Sequence, residues 1–269
     1  MDGNAAKLAV ITGASRGIGE AFAHLLASDG LRLVVVGRNE GELNRVAGVV
    51  TARHSASVLP IVLDLGEPGA GAAFAEELAR RGLEPDIVIN NAGYGLLGRA
   101  AELPIKTQTA MVDLNVRTVT DLSLRFLPRM IEKRAGGIIN VASLASYFPG
   151  PHMAVYYATK AYVLSFSEAL ASEVSGSGVT VTALCPGVVP TGFQARAGMD
   201  DLTAFRRVPK MSAEAVARAG WEGFLRRDRV VLPGAATALM AWTSRLTPRA
   251  LLLPILRSVL NPDGARAIG

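Results

Sequence analysis

Short apolar runs alternate with amphipathic stretches along most of the chain. Leu8–Thr12, Leu33–Val36, Val58–Leu63, Asp86–Ile89, Ile138–Val141 and Val179–Leu184 are four to six residues long and largely apolar, with many β-branched side chains. Hydrophobicity that runs on without alternating marks strands covered on both faces. Between these runs, Ile18–Ser28, Glu42–Val50, Ala72–Arg81, a long stretch within Ile105–Glu132, and Val155–Val174 place apolar residues at helical spacing. Arg229–Leu232 adds a candidate seventh strand. Strand and helix alternating at this interval imply right-handed crossovers. The predicted fold class is therefore α/β, a single doubly wound domain with a parallel sheet of about seven strands and helices on both faces. No internal repeat or low-complexity linker divides it.

Composition narrows this reading. The chain has 269 residues, half of them hydrophobic and 19% charged, which excludes global disorder. No apolar run reaches about 18 residues without charge or proline. The most apolar segment, Ala235–Leu260, is interrupted by Arg245, Pro248, Arg249, Pro254 and Arg257. The polar stretch Met1–Lys7 lacks the pattern of a secretory leader. The lone Cys185 excludes an intrachain disulfide and fits a reducing compartment, so a cytoplasmic protein is expected. Charge is uneven: residues 1–195 carry 16 basic and 17 acidic side chains, residues 196–269 carry 12 and 6. Such a basic tail suits either an anionic partner or a solvated helical surface.

In a doubly wound sheet, ligands bind beyond the carboxyl ends of the strands. Those ends here are Thr12-Gly13-Ala14-Ser15-Arg16-Gly17-Ile18-Gly19, Gly37-Arg38-Asn39, Asp64-Leu65, Asn90-Asn91-Ala92-Gly93, Ala142-Ser143 and Pro186-Gly187. Six successive strands thus deliver small, turn-forming or polar residues to one edge. Gly13, Gly17 and Gly19 join the first strand to a helix, where glycine permits a tight turn and close backbone approach to a diphosphate. Their spacing departs from both the usual dinucleotide fingerprint and the phosphate-binding P-loop. A carboxylate after the second strand would favour NAD, whereas arginine there accommodates the 2′-phosphate of NADP. Gly37 stands at the carboxylate position, with Arg38 next and Arg16 in the glycine turn. NADP is the expected cofactor.

Tyr156 and Lys160 are four residues apart in a helical segment and share a face. An ammonium beside a phenol favours phenolate, which suits acid–base work near neutral pH. Ser143, at the end of the fifth strand, could donate a hydrogen bond to a substrate oxygen. Tyr157 also lies within reach of Lys160. His24, His54 and His152 are scattered without ligand spacing, so no metal is expected.

Taken together, Thr12–Gly19, Asn90–Gly93, Asn115, Ser143, Tyr156-x-x-x-Lys160 and Pro186-Gly187-x-x-x-Thr191 resemble the motifs of the short-chain dehydrogenase/reductase family, in order and spacing, over roughly Lys7 to Thr191. The resemblance implies a Rossmann-like domain over residues 1–234. It makes Tyr156 the general acid or base, with Lys160 tuning it and Ser143 holding the carbonyl. Asn115 would position a water leading to Lys160. It places Ser15, Ile18 and Leu65 among the cofactor contacts, Asp64 at the adenine and Asn91 at its ribose. Val189 and Thr191 would meet the nicotinamide carboxamide. The motif selects Tyr156 over Tyr157. The implied activity is hydride transfer between NADP and a ketone or secondary alcohol.

An apolar rim of Tyr94, Leu96, Leu97, Tyr147, Phe148, Met153 and Phe193 points to a lipophilic small molecule. Residues 192–210, rich in glycine and aspartate, suggest a lid over the substrate. Residues 235–269 resemble the C-terminal extension of a bacterial, NADP-preferring subgroup. As a helical extension they could pack on the pocket, cement a dimer or touch a membrane surface, and the sequence leaves these open. No nucleic-acid partner is expected, because the basic tail lacks interleaved aromatics beyond Trp221, Phe224 and Trp242. The family's habit implies a homodimer or homotetramer. The alternative in a different class is an NADP-binding regulatory protein with little turnover.

Overall fold

The computed structural model describes residues 6–199 and 209–261. Seven strands, β1 (Leu8–Thr12), β2 (Arg32–Gly37), β3 (Val58–Val62), β4 (Ile87–Asn90), β5 (Gly137–Val141), β6 (Thr180–Leu184) and β7 (Val230–Val231), form one sheet. Their order is β3-β2-β1-β4-β5-β6-β7, and every pairing is parallel. Parallel strands need crossovers, and the helices supply them. These are α1 (Gly17–Ser28), α2 (Glu40–His54), α3 (Ala70–Arg80), α4 (Ile105–Val112), α5 (Thr118–Lys133), α6 (Ala154–Glu173), α7 (Phe193–Ala197) and α8 (Ala213–Leu225); α9 (Ala235–Leu246) and α10 (Arg249–Val259) follow the last strand.

The pleat of β1 distributes its side chains between two cores. Ala9 and Ile11 pack with Phe22, Leu26, Leu43 and Trp221 on one face. Leu8 and Val10 pack with Phe74, Leu78, Leu122 and Met130 on the other. The apolar runs are continuous because both faces are covered. At the edge, β3 is only half-buried and tolerates Pro60, which has no N–H for a ladder.

Two features differ from the sequence-based expectation. The long helix predicted within Ile105–Glu132 is two helices separated by a π-helical turn, Asp113–Arg117. Such turns cluster at functional sites because the extra residue re-aims a side chain, here that of the buried Asn115. The seventh strand, predicted over four residues, pairs through only two. The predicted lid is described only in part: Phe193–Ala197 is helical, and residues 200–208 lie outside the described residues.

Candidate active site

The strand order reverses between β1 and β4, so the crevice opens where those two strands end. Thr12 laces them together. Its hydroxyl donates to the Ile89 carbonyl at 3.3 Å and accepts from the N–H groups of Asn91 and Ala92 at 3.0 Å each. The Asn91 amide donates to the carbonyls of Thr12 at 2.9 Å and Gly13 at 3.0 Å. Asn91 therefore braces the glycine turn with the group expected to contact ribose.

The turn itself admits only glycine at its tight points. Gly13 and Gly17 have φ of +65° and +60°. A Cβ on Gly13 would lie 2.8 Å from the Ala92 Cα, and one on Gly17 would lie 2.8 Å from the Thr191 methyl. Helix α1 then begins without a side-chain cap on its first N–H groups, which suits an anion there. Gly19 does not line the cleft; a Cβ on it would lie 2.4 Å from the Gly13 carbonyl oxygen, so it serves helix-to-turn packing.

Arginines gather at the outer end of this crevice. Arg38 pairs with Asp64 at 3.3 Å, and the Asp64 carboxylate also accepts from the Gly66 N–H at 2.9 Å. Arg196, on α7, has its pKa lowered by partial burial and by the neighbouring charges of Arg16 and Arg38. Its Nε donates to the Gly192 carbonyl at 3.1 Å. Three guanidinium groups lining one end of the cleft, Arg16, Arg38 and Arg196, form a donor set suited to a polyanion. A glycine turn that a Cβ would fill adds the close backbone approach that a dinucleotide diphosphate needs. The residues present fit NAD(P).

At the inner end, Ser143 lies two residues beyond β5 and caps the following turn by accepting from the Ala145 N–H at 3.1 Å. Tyr156 is buried at 8% exposure, its ring 5.3 Å from that of Phe193. Burial pushes its phenol up to about 12, and a hydrogen bond with Ser143 opposes that shift. Lys160 is buried at 6% exposure and donates from Nζ to the Val141 carbonyl at 2.7 Å. Burial pulls its ammonium down to about 8. Exclusion of water is the largest influence on both groups, disfavouring phenolate and ammonium alike. Tyr157 is also pushed up by burial, and its ring lies where a Cβ on Gly150 would fall, 2.3 Å away.

Asn115 stands behind the cleft wall. Its amide donates to the Tyr94 carbonyl at 2.9 Å and the Thr159 hydroxyl at 3.1 Å, and its oxygen accepts from the Tyr94 N–H at 3.2 Å. A Cβ on Gly93 would lie 2.9 Å from that oxygen and 3.7 Å from the Lys160 Nζ, so only glycine fits between them.

One continuous cleft of about 1080 Å³ joins these parts. Ser15, Arg16, Ile18, Leu65, Val189 and Thr191 line it, as do Ser143, Tyr156 and Lys160. Of the expected apolar rim, Tyr94, Leu96, Phe148, Met153 and Phe193 face it. Tyr147 instead lies under Arg245, whose guanidinium is 5.3 Å from the ring centroid, and Leu97 packs in the cluster behind Tyr156. The tail adds Met240, Leu256, Val259 and Leu260 to the wall. Among the described residues no group of three His, Cys, Asp or Glu side chains could hold a metal ion.

Residues 7–201 match the short chain dehydrogenase family profile. The chain belongs to the short-chain dehydrogenase/reductase family. A relative from Mycobacterium tuberculosis described as "Probable oxidoreductase EphD" is 32% identical over 264 residues, 91% of this chain and 44% of that protein. The chain thus spans under half the length of that curated relative.

Among solved structures, a short-chain dehydrogenase from Sphingobium yanoikuyae in complex with NADPH is 31% identical, with a TM-score of 0.80 over 92% of this chain and 95% of that one. A short-chain dehydrogenase/reductase from Burkholderia phymatum in complex with NAD is 30% identical, with a TM-score of 0.79 over 96% and 97%. The bulky-bulky ketone specific alcohol dehydrogenase from Comamonas testosteroni is 27% identical, with a TM-score of 0.75 over 89% and 92%.

Within this short-chain dehydrogenase/reductase site, Arg196 escaped the sequence reading, and of the roles left open for the tail, packing on the pocket is the one that Met240, Leu256, Val259 and Leu260 take up. Arg196 carries no local signal. Only the return of the chain after β6 brings it beside Arg16.

Proposed function

We propose that this protein is an NADP-dependent oxidoreductase that moves a hydride between the nicotinamide and a lipophilic ketone or secondary alcohol. The observation that carries the reading is a single cleft with arginines at one end and Ser143, Tyr156 and Lys160 among apolar side chains at the other. When bound, the nicotinamide supplies or accepts the hydride. The residues of this chain do the rest. Gly13, Gly17 and the start of α1 hold the diphosphate, while Arg16, Arg38 and Arg196 hold the 2′-phosphate. Leu65 and Asp64 border the adenine, and Val189 with Thr191 the carboxamide. Ser143 orients the substrate oxygen, and Tyr156 gives it a proton in reduction or takes one in oxidation. Lys160, with Asn115 behind it, feeds protons to Tyr156 and holds the ribose. Phe148, Met153 and Phe193, with the tail, surround the apolar part of the substrate.

The solved relatives support the chemistry and bracket the cofactor, since one was determined with NADPH and another with NAD. The Comamonas enzyme's preference for bulky-bulky ketones accords with a cleft of this size. A cytoplasmic homodimer or homotetramer, with the C-terminal extension as part of the catalytic domain, completes the reading. Oxidation of NADPH with a panel of aliphatic, aromatic and terpenoid ketones tests it. Turnover with bulky apolar ketones is expected, and tight NADPH binding without turnover on any carbonyl would favour a regulatory protein instead.

A further inference from the structure

Helices α9 and α10 follow β7 and are joined by Thr247 and Pro248. Their inner sides are accounted for: Thr237, Ala241 and Ser244 are buried, as are Leu252 and Leu260. Their outer sides are not polar. Leu239, Trp242 and Leu246, at i, i+3 and i+7, form one stripe on α9 with exposures of 65%, 65% and 80%. Leu251 and Ile255, one turn apart on α10, are 62% and 58% exposed. Eight of the sixteen large hydrophobic side chains exposed among the described residues fall in this helix pair. Single exposed apolar residues are ordinary, but a stripe of three on one helix face, as Leu239, Trp242 and Leu246 form on α9, marks an interaction surface.

The charges around the set identify the occupant. From residue 235 to 261 the sequence has three arginines, Arg245, Arg249 and Arg257, and no aspartate or glutamate; Arg245 lies over the Tyr147 ring. Arg249 and Arg257 are exposed on α10. Arg257 also lines a surface hollow of about 600 Å³ with Pro254 and Ser258. Apolar stripes carrying leucine and tryptophan beside arginines with no carboxylate match the boundary of an anionic bilayer, with acyl chains below and negative headgroups around. A second copy of the chain matches poorly. In an isologous dimer this surface would meet itself and bring arginines together without a compensating charge. Neither helix is long and apolar enough to cross a membrane, so the contact lies in the interface plane.

We infer that the α9–α10 hairpin is a peripheral docking surface for anionic lipid bilayers. Because Met240, Leu256 and Val259 of the same hairpin wall the substrate cleft, docking sets that cleft beside the lipid phase. That consequence rests on the lipophilic-substrate reading. The docking itself is measured without turnover, so the two can fail separately.

The test uses the full-length protein with vesicles of phosphatidylcholine alone and of phosphatidylcholine with phosphatidylglycerol. Co-sedimentation is expected with the anionic vesicles and should fall as salt is raised. Trp221 is buried and stacked on Phe224, so a blue shift of tryptophan emission and its quenching by brominated lipid report on Trp242. Arg249→Gln with Arg257→Gln should weaken partitioning about 25-fold, taking about fivefold for each basic side chain near the surface. Trp242→Glu with Leu246→Glu should abolish it with the circular dichroism spectrum unchanged. Trp242→Ala is the milder variant if that pair fails to fold. Absence of vesicle binding by the wild type overturns the inference. So does a homodimer that Trp242→Ala dissociates in sedimentation velocity while vesicle binding persists.

Discussion

Replacing Arg196 by alanine should weaken NADPH binding and leave NADH binding almost untouched. Arg16, Arg38 and Arg196 crowd one end of the cleft, where partial burial and then the neighbouring charges of Arg16 and Arg38 lower the Arg196 pKa. A 2′-phosphate offsets those charges and accepts charge-assisted hydrogen bonds, each contributing roughly 1.5–3 kcal/mol. Arg38 and Arg196 are exposed, so water screens them and the low end of that range applies. One such bond at about 1.5 kcal/mol is about tenfold in Kd. NADPH should therefore bind the wild type at least about tenfold more tightly than NADH, and Arg196→Ala should erase about one decade of that margin. Gly37→Asp with Arg38→Ile should reverse the preference by adding a repulsive carboxylate and deleting a cation. A Cβ on Gly37 would lie 2.7 Å from the Ser15 hydroxyl oxygen, so that variant also requires the serine side chain to rotate. Isothermal titration with the two cofactors at low salt reads all of these values. Equal wild-type affinities, or equal losses for both cofactors in Arg196→Ala, would refute the reasoning.

Further outcomes follow from the same geometry. With the Tyr156 phenol pushed up to about 12, the donor itself stays protonated from pH 6 to 9, so ketone reduction should decline only as Lys160, pulled down to about 8, loses the proton it supplies, while alcohol oxidation, which needs phenolate, should rise with pH; initial rates in both directions check this. The buried Lys160, pulled down to about 8, binds fewer protons folded than unfolded between pH 8 and its ordinary 10.5. It should add stability as pH rises through that window. The Cys185 thiol, pushed up to about 12, opposes this above its ordinary value of 9, so the thermal midpoint of wild type minus Lys160→Met against pH isolates the lysine. Gly19→Ala should cost about 1–3 kcal/mol in urea unfolding, because the methyl group would overlap the Gly13 carbonyl.

The fold was largely legible because its physics is local and repetitive. A strand buried on both faces must be continuously apolar, as Val34–Val36 is, and the turn after β1 must be glycine where φ is positive. The chemical groups at Ser143, Tyr156 and Lys160 were legible through their spacing and their resemblance to a family. Three features were not. The π turn around Asn115 is one extra residue within a helical pattern, and helical periodicity does not register it. The protonation behaviour of Tyr156 and Lys160 depends on how completely the surrounding chain excludes water, a property of packing and not of spacing. Arg196 and Met240 reach the cleft through tertiary returns of the chain, so nothing in their immediate neighbours announces them.

The central claim is that Tyr156 is the proton donor of a carbonyl reductase, and comparing Tyr156→Phe with Tyr157→Phe tests it most directly. Single-turnover oxidation of bound NADPH by a bulky ketone should slow about 10²–10⁴-fold in Tyr156→Phe, the usual contribution of general acid catalysis, while the Kd for NADPH stays within about twofold. Tyr157→Phe should keep its rate within about tenfold of the wild type. Equal losses in the two variants, or an unimpaired Tyr156→Phe, would contradict the account.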